Sequence, residues 1–231
     1  MKPIDILFTP IDGPLVPEVN LPLLRQWIDE TFTIQNYEKR KDGLKRTDPE
    51  IYPWKSTYSK IQKKWVNNFD ILFPELSNYF SAAYNLDPEL ILDVLLLPLK
   101  DDKTGTVFWH ADPDLNGLRF YIENKQTEDF LYMVKSNQPV NNQSELGLPL
   151  KPNMKDFKRK LFVPKLPNLR QPFYLNNIRA LHAVNNKTAN SGRISVIVTV
   201  DKTMDKIPEL ENLIINSAEK YNEYAIMYND E

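Results

Sequence analysis

The chain of 231 residues is 42% apolar and 26% charged with a formal net charge of −2. This composition is typical of one folded domain, and it excludes a disordered or collagen-like chain. It contains no cysteine, which excludes disulfides, thiol nucleophiles and thiolate metal sites. Its six glycines form no G-x-G pair and precede no K-[ST] pair, so the usual nucleotide phosphate loops are excluded. Balanced charge argues against general nucleic-acid binding. No apolar run is long enough for a signal peptide or a membrane span, so we expect a soluble, cytoplasmic protein with no membrane partner.

Residues 1–89 are predicted to be mainly helical. Aromatic and aliphatic residues recur there at spacings of three and four, as expected along one face of a helix; they are Trp54, Tyr58, Ile61, Trp65 and Phe69. A second helix is predicted over 74–85, because Pro74 suits a first helical position and apolar residues follow at helical spacing.

From about residue 90 the hydrophobic period changes to two, which predicts β-strands. Strands are predicted over 91–99, 106–111, 118–123, 130–134, 172–175, 180–184 and 193–200. The polar segment 100–105 contains a glycine and predicts that the first two of these strands form a hairpin. Short strands at this spacing, mostly without helices between them, favour a double-sheet jelly roll.

Two further segments complete the predicted organisation. Residues 136–167 are polar and rich in Asn, Pro and Lys, and we expect them to form an insertion that acts as a lid. The segment 208–224 has the pattern of a closing amphipathic helix. The predicted fold is therefore α+β: a double-stranded β-helix of jelly-roll or cupin type over 90–200, N-terminal helices over 1–89 and a C-terminal helix within 201–231, all in a single domain, 1–231.

The chain has two histidines, His110 and His182, and each lies in a predicted strand. Strand alternation puts His110 and Asp112 on the same side. A second imidazole from another strand would complete the facial set of two nitrogens and one oxygen that holds non-haem Fe(II), and His182 is the candidate. The alternative is that both histidines are hydrogen-bonded core residues.

Arg193 and Ser195 follow on one face of the last predicted strand, while the other face carries Ile194, Val196, Val198 and Val200. An arginine that faces a core built from strands is costly unless an anion meets it. A guanidinium beside a hydroxyl suits one carboxylate of a small diacid.

The set His110-x-Asp112, His182 and Arg193-x-Ser195 resembles the Fe(II)/2-oxoglutarate-dependent oxygenase superfamily, whose core would occupy about residues 90–200. Within it, the stretches 110–121 and 173–177 are similar to aspartyl/asparaginyl β-hydroxylase-like proteins and bacterial free-proline hydroxylases. There an arginine nine residues after the first histidine, and an aromatic residue or histidine two further on, help to hold the 2-oxoglutarate C1 carboxylate; Arg119 and Tyr121 stand at those positions. The chain departs from the aspartyl/asparaginyl enzymes in having Asp112 and in the length of 136–167.

The resemblance implies an enzyme that binds Fe(II) through His110, Asp112 and His182 and uses 2-oxoglutarate and O2, with ascorbate as a possible support. Arg193 would anchor the C5 carboxylate with help from Ser195. The substrate would be an amino acid, or a Pro, Asp or Asn side chain of a peptide or protein, hydroxylated at a C–H bond. Two alternatives stay open: a cupin-type metal enzyme that uses no 2-oxoglutarate, and a non-catalytic jelly-roll binding module.

Overall fold

The computed structural model describes residues 5–31, 55–56, 58–59, 64–82, 91–99, 106–110, 116–123, 132–135, 162–176, 179–185, 193–200 and 208–228. Its helices are α1 (Leu21–Thr31), α2 (Phe69–Leu72), α3 (Pro74–Ala82) and α4 (Pro208–Lys220), with a 3₁₀ helix at Val66–Asn68. Its strands are β1 (Ile6–Pro10), β2 (Lys55–Ser56), β3 (Tyr58–Ser59), β4 (Lys64–Trp65), β5 (Ile91–Leu99), β6 (Thr106–His110), β7 (Asn116–Glu123), β8 (Tyr132–Lys135), β9 (Phe173–Leu175), β10 (Ala180–Asn185), β11 (Arg193–Val200) and β12 (Ile226–Met227). The fold is thus mixed α+β.

The strands form two main antiparallel sheets. The large sheet has the order β12-β1-β9-β7-β11-β5-β2, the small sheet has the order β6-β10-β8, and β3 pairs with β4 in a separate hairpin. Between β5 and β11 the chain alternates between the sheets, so that β5, β7, β9 and β11 lie in the large sheet and β6, β8 and β10 in the small one. Each described strand in this series therefore lies in the opposite sheet from the described strand before it.

The period-two segments are confirmed as strands, but the predicted hairpin is wrong. β5 pairs with β11 and β2, whereas β6 pairs with β10. A polar segment with a glycine indicates a change of direction, and it does not determine which sheet the next strand joins. Residues 100–105, and most of the predicted insertion 136–167, lie outside the described residues.

The helix predicted from the aromatic spacing over 54–69 is also not found. The described part of that segment holds β2, β3, β4 and a 3₁₀ helix. Tyr58 lies opposite Trp65 in the β3–β4 pair, and the rings of Trp65 and Phe69 stack with centroids 5.2 Å apart. Residues seven apart meet across a hairpin as well as after two helical turns, so the spacing alone does not distinguish the two.

Apolar side chains pack on the two faces of the large sheet. On one face is the helix-side core, formed with α1, α3 and α4; it includes Leu24, Trp27, Leu76, Phe80, Leu118, Phe120, Tyr174, Ile194, Leu210 and Ile214. Between the two sheets is the inter-sheet core, formed by Leu7, Phe8, Met133, Phe173, Leu175, Ala180 and Ile226. Alternation of side chains along a strand separates the two cores. In β9, for example, Tyr174 belongs to the helix-side core, whereas its neighbours Phe173 and Leu175 belong to the inter-sheet core.

Two tyrosines of the helix-side core, Tyr79 and Tyr174, differ in the hydrogen bonding of their hydroxyl groups. The Tyr79 hydroxyl donates a hydrogen bond of 2.9 Å to the Pro14 carbonyl. Tyr174 is fully buried, and its hydroxyl has no hydrogen-bond partner within the described part of the chain. Burial raises the pKa of Tyr174, because the charged form loses its hydration.

Two of the helices that cover this core begin where the sequence predicts, whereas α4 ends at Lys220, before the predicted end at residue 224. Pro74 and Pro208 occupy first helical positions, and α4 carries acidic residues in its first turn and Lys220 in its last, which suits the helix dipole. The predicted helices at 74 and 208 are confirmed. The buried Ser217 hydroxyl accepts a 2.9 Å hydrogen bond from the Asp12 amide, which fastens α4 to the segment after β1.

Candidate functional site

His182 lies in the middle strand of the small sheet. In the register of that sheet it pairs with His110 on β6 and with Met133 on β8. The two histidines of the chain are therefore direct neighbours across one antiparallel pair. The register shifts immediately afterwards: β6 advances from His110 to Val107 while β10 advances only from His182 to Val184. Such a β-bulge re-aims side chains and is common beside active sites.

The imidazole of His182 is completely buried, at 0% exposure, and both of its nitrogens have partners. Nδ1 lies 3.1 Å from the Ala180 carbonyl oxygen, and Nε2 lies 3.2 Å from Nη2 of Arg119. A carbonyl only accepts a hydrogen bond and a guanidinium only donates one. These partners assign the proton to Nδ1, so the ring is neutral and its Nε2 lone pair points toward Arg119.

Arg119 reaches His182 from the large sheet. Its neighbours Leu118 and Phe120 belong to the helix-side core, so alternation along β7 puts Arg119 on the opposite face, toward the small sheet. Its side chain is only 8% exposed. A buried guanidinium needs hydrogen-bonding or charged partners, because its desolvation is costly. The space between the sheets thus contains a fixed positive charge beside a neutral imidazole.

The remaining arginine and serine of the predicted set share this face of the large sheet. Ile194 is buried in the helix-side core, so positions 193 and 195 lie on the face toward the small sheet. The register pairs Ser195 with Tyr121 and Ile197 with Arg119. Positions 119, 121, 193 and 195 therefore form two adjacent rows on one face.

For part of the predicted site the structure describes the backbone alone. This holds for His110, Tyr121, Arg193 and Ser195, and Asp112 lies outside the described residues. Among the side chains that are described, no group of three His, Asp or Glu is placed to hold a metal ion. The assignment of His110, Asp112 and His182 as ligands stays a prediction, and so do the roles of Arg193, Ser195, Arg119 and Tyr121.

Two contacts at this site could not be read from the sequence. One joins Arg119 to His182, and the other joins His182 to the carbonyl of Ala180. The only sequence signal for the first was the position of Arg119 nine residues after His110. The second follows from the backbone at the start of β10, which no residue pattern predicts.

The chain was compared with known proteins. No protein-family model matches it, and no curated protein matches it. Among solved structures it is similar to EvdMO1, with 14% identity and a TM-score of 0.46 over 86% of this chain and 48% of that chain. It is also similar to AviO1 from Streptomyces viridochromogenes Tue57, with 14% identity and a TM-score of 0.43 over 86% and 91% of the two chains. The chain spans about half the length of EvdMO1, and at this level neither likeness bears on what the chain binds or catalyses.

Across the residues that the structure describes, no helix combines the length and apolar character needed to cross a bilayer.

Proposed function

We propose that this protein is an Fe(II)/2-oxoglutarate-dependent dioxygenase that hydroxylates a C–H bond of an amino acid, or of a Pro, Asp or Asn side chain in a peptide or protein. The observation that carries the proposal is the direct pairing of His110 with His182 across two strands of the small sheet. The chain has only two histidines, and the fold makes them neighbours.

The path of the chain supports a double-stranded β-helix. Strands β5 to β11 alternate strictly between the two sheets. The sheets enclose an inter-sheet core on one side of the large sheet, while helices cover its other side. Such winding of one chain through two facing sheets is the architecture of jelly rolls and cupins, which use the space between the sheets for ligands.

The state of His182 fits a metal ligand. Residues directly opposite in an antiparallel pair have Cβ atoms roughly 4.5–5.5 Å apart, close enough for both imidazoles to reach one ion. The Nδ1 proton of His182 is donated to the Ala180 carbonyl, which leaves Nε2 unprotonated. A bound metal ion would take the place of the Arg119 guanidinium at this nitrogen. Metal-binding histidines almost always donate their other N–H in this way, which fixes the tautomer and the ring orientation. Asp112 would add the third ligand.

The arginines on the large sheet fit a dicarboxylate. Arg119 contacts His182 and so lies at the metal end of the proposed site, where it would orient the C1 carboxylate. Position 193 is four residues along β11 from Ile197, the partner of Arg119, which is about 13 Å along the strands. Two long guanidinium side chains and a small diacid between them span that separation. In the register of β11 and β7, Ser195 lies opposite Tyr121, between position 193 and the Ile197–Arg119 pair.

In the proposed reaction, bound Fe(II) supplies the redox chemistry by which 2-oxoglutarate, O2 and a substrate C–H give succinate, CO2 and a C–OH. The residues of the chain bind and orient. Arg193 and Ser195 hold the C5 carboxylate, and Arg119 holds the C1 carboxylate beside His182. The inter-sheet core excludes bulk water around these charges, which strengthens each of the contacts.

The first test measures metal binding by the purified protein. Calorimetry with Mn(II), a stand-in for Fe(II) that resists oxidation in air, is expected to give one site per chain. His182→Ala and Asp112→Ala are each expected to weaken it by more than the roughly 10–100-fold that loss of an outer-shell partner costs. Asp12→Asn is the matched control, because Asp12 pairs with Lys220 on α4. Stoichiometric binding that survives both ligand variants would refute the metal site.

The second test measures turnover of the co-substrate. With Fe(II) and ascorbate, succinate release from 2-oxoglutarate is expected to rise when a substrate is present among free amino acids and short Pro-, Asp- or Asn-containing peptides. Arg193→Lys is expected to raise the KM for 2-oxoglutarate, because a point charge replaces a bidentate fork. Metal binding without any response to 2-oxoglutarate would favour the cupin-type alternative, and no metal binding would favour the binding module.

A further inference from the structure

Two interior strands of the large sheet each contain a residue that is unusual in such a strand. Asp93 is the one charged residue of β5, whose other residues are aliphatic apart from a proline. Gly117 lies in β7. Aspartate and glycine are both depleted in strands, and a glycine there often marks a place where a ligand approaches the backbone closely. Residues that break a local rule in this way are expected at functional sites.

The register brings both residues into one row across the large sheet, which we call the Asp93 row. Thr199 of β11 pairs with Asp93 on one side and with Gly117 on the other. Gly117 pairs in turn with Leu175, and Leu175 pairs with Phe8. Residues directly opposite in antiparallel pairs share one face of the sheet. Because Leu175 and Phe8 are fully buried in the inter-sheet core, the whole row lies on the face toward the small sheet.

The Asp93 row is next to the row of Arg119, whose guanidinium contacts His182. Along β11, Thr199 lies two residues beyond Ile197, the partner of Arg119, which is roughly 7 Å. Position 193 lies in the other direction from Ile197. The dicarboxylate proposed above would occupy the rows between Arg119 and position 193, so it would not extend to the Asp93 row. A substrate that meets the histidine pair from the side away from the dicarboxylate would lie against this row.

The charge of Asp93 indicates what such a substrate carries. A carboxylate on the inner face of a sheet is costly unless a cation or a hydrogen-bond donor meets it, and no other member of the row is positively charged. Arg119 is two strands and two residues away, roughly 12 Å between backbone positions, and its Nη2 lies at His182. A cation that is not part of the chain therefore suits position 93. Thr199 offers a hydroxyl beside it, and Gly117 leaves room because it has no side chain.

We propose that the Asp93 row is a subsite for the ammonium group of the substrate, and that the substrate is a free amino acid. The place of this subsite beside the metal rests on the proposed function. Among the substrate classes named there, a free amino acid carries a positive charge near its reacting carbon, whereas a Pro, Asp or Asn side chain within a peptide carries none. Asp93 would bind the ammonium with help from the Thr199 hydroxyl, which can accept a hydrogen bond, and Gly117 would leave space for the carbon skeleton.

The experiment measures binding by calorimetry, with the protein loaded with Mn(II) and the 2-oxoglutarate analogue N-oxalylglycine. Free amino acids, including proline, aspartate and asparagine, are titrated beside their N-acetyl derivatives, in which the positive charge is removed. We expect a free amino acid to bind and its N-acetyl derivative to bind about ten-fold more weakly or less. Asp93→Asn is expected to weaken binding of that amino acid about 10–100-fold, because a charge-assisted hydrogen bond is lost, and to leave N-oxalylglycine binding unchanged. Asp70→Asn is the matched control, since Asp70 is exposed in the first turn of α2.

A second variant tests the row without removing a charge. Gly117→Ala adds a methyl group to the Asp93 row, and we expect it to weaken binding of the amino acid about ten-fold by filling the space. The same change is expected to raise the urea midpoint, because alanine loses less conformational freedom than glycine when a strand forms. Opposite effects on binding and on stability distinguish a subsite from a merely structural position. Unchanged amino-acid binding in Gly117→Ala would overturn the subsite even if Asp93→Asn does not fold.

The remaining outcomes separate the subsite from the proposed function. Equal affinity of a free amino acid and its N-acetyl derivative, or unchanged affinity in folded Asp93→Asn, would overturn the subsite. If Asp93→Asn weakens N-oxalylglycine binding instead, Asp93 is the counter-ion of Arg119 and the subsite is refuted. If the wild type binds no Mn(II), the proposed function fails, and the same amino acids are titrated into the metal-free protein. Binding there that Asp93→Asn abolishes would support the subsite, and no binding would overturn it.

Discussion

Replacing Tyr174 with phenylalanine is expected to stabilise the protein. The Tyr174 ring is fully buried in the helix-side core, and its hydroxyl lacks a partner in the described part of the chain. A buried polar group left unsatisfied costs about 1–3 kcal/mol. Phenylalanine keeps the ring and removes the hydroxyl, so the gain is about 1 kcal/mol after allowing for the small void that remains. In a chain of this size that raises the Tm by about 2–4 °C.

Tyr79→Phe is the matched control. It makes the same chemical change in the same core, but it deletes the hydrogen bond to the Pro14 carbonyl, so we expect a loss of about 1 kcal/mol. Urea unfolding followed by fluorescence compares the midpoints of the two variants with that of the wild type. The two effects should have opposite signs. If Tyr174→Phe is as destabilising as Tyr79→Phe, the Tyr174 hydroxyl is hydrogen-bonded in solution and the reasoning is wrong.

Tyr174→Phe is also expected to change how stability depends on pH. Because burial raises the pKa of Tyr174, the folded chain keeps a phenol proton that the unfolded chain loses above pH of about 10. The contribution of that proton to stability is complete below pH 10 and is lost as the pH rises, at about 1.4 kcal/mol per pH unit. Tyr174→Phe removes this loss, so its advantage over the wild type should widen between pH 10 and 11. A constant advantage would contradict the burial of the hydroxyl.

Three further variants test other contacts. Arg119→Met removes the guanidinium that contacts Nε2 of His182, so Mn(II) binding is expected to tighten about two- to ten-fold, while binding of the 2-oxoglutarate analogue N-oxalylglycine to the metal-loaded protein is expected to weaken about 10–100-fold. Calorimetry measures both, and weaker metal binding would contradict the inference that Arg119 and the metal compete for Nε2. Ser217→Ala leaves the Asp12 amide without its acceptor and is expected to cost about 1 kcal/mol in urea unfolding, whereas Lys220→Met, which breaks an exposed ion pair, should change the midpoint little and not at all at high salt.

Much of the β-structure could be predicted from the sequence because it depends on local patterns. The strands between residues 91 and 200 are rich in β-branched, aromatic and other apolar residues, which in β11 largely alternate with polar ones, and their observed ends lie close to the predicted ones. The helices at Pro74 and Pro208 carry their own start signals. The partners of each strand, in contrast, are set by contacts between distant segments, and this is why β5 and β6 were assigned to one hairpin. β1 was missed for the same reason, because it is stabilised by β9 and β12.

The candidate site likewise combines features that local sequence patterns predict with features that depend on contacts between distant segments. The sequence singles out His110 and His182 because the chain has no other histidines, and strand alternation puts Arg193 and Ser195 on one face. The direct pairing of the histidines depends on the register between β6 and β10. The contact of Arg119 with His182 depends on the approach of the two sheets.

The position of β1 has a consequence for folding kinetics. β1 lies between β9 and β12, so the first described strand cannot complete its hydrogen bonds until segments near the other end of the chain, up to Met227, are present. Closing such long loops is slow, since the entropic cost comes before any stabilising contact. During synthesis on the ribosome the edge of β1 that faces away from β9 therefore stays open until β12 emerges. Refolding should show β1 docking as a late phase, after the strands between β5 and β11 have paired.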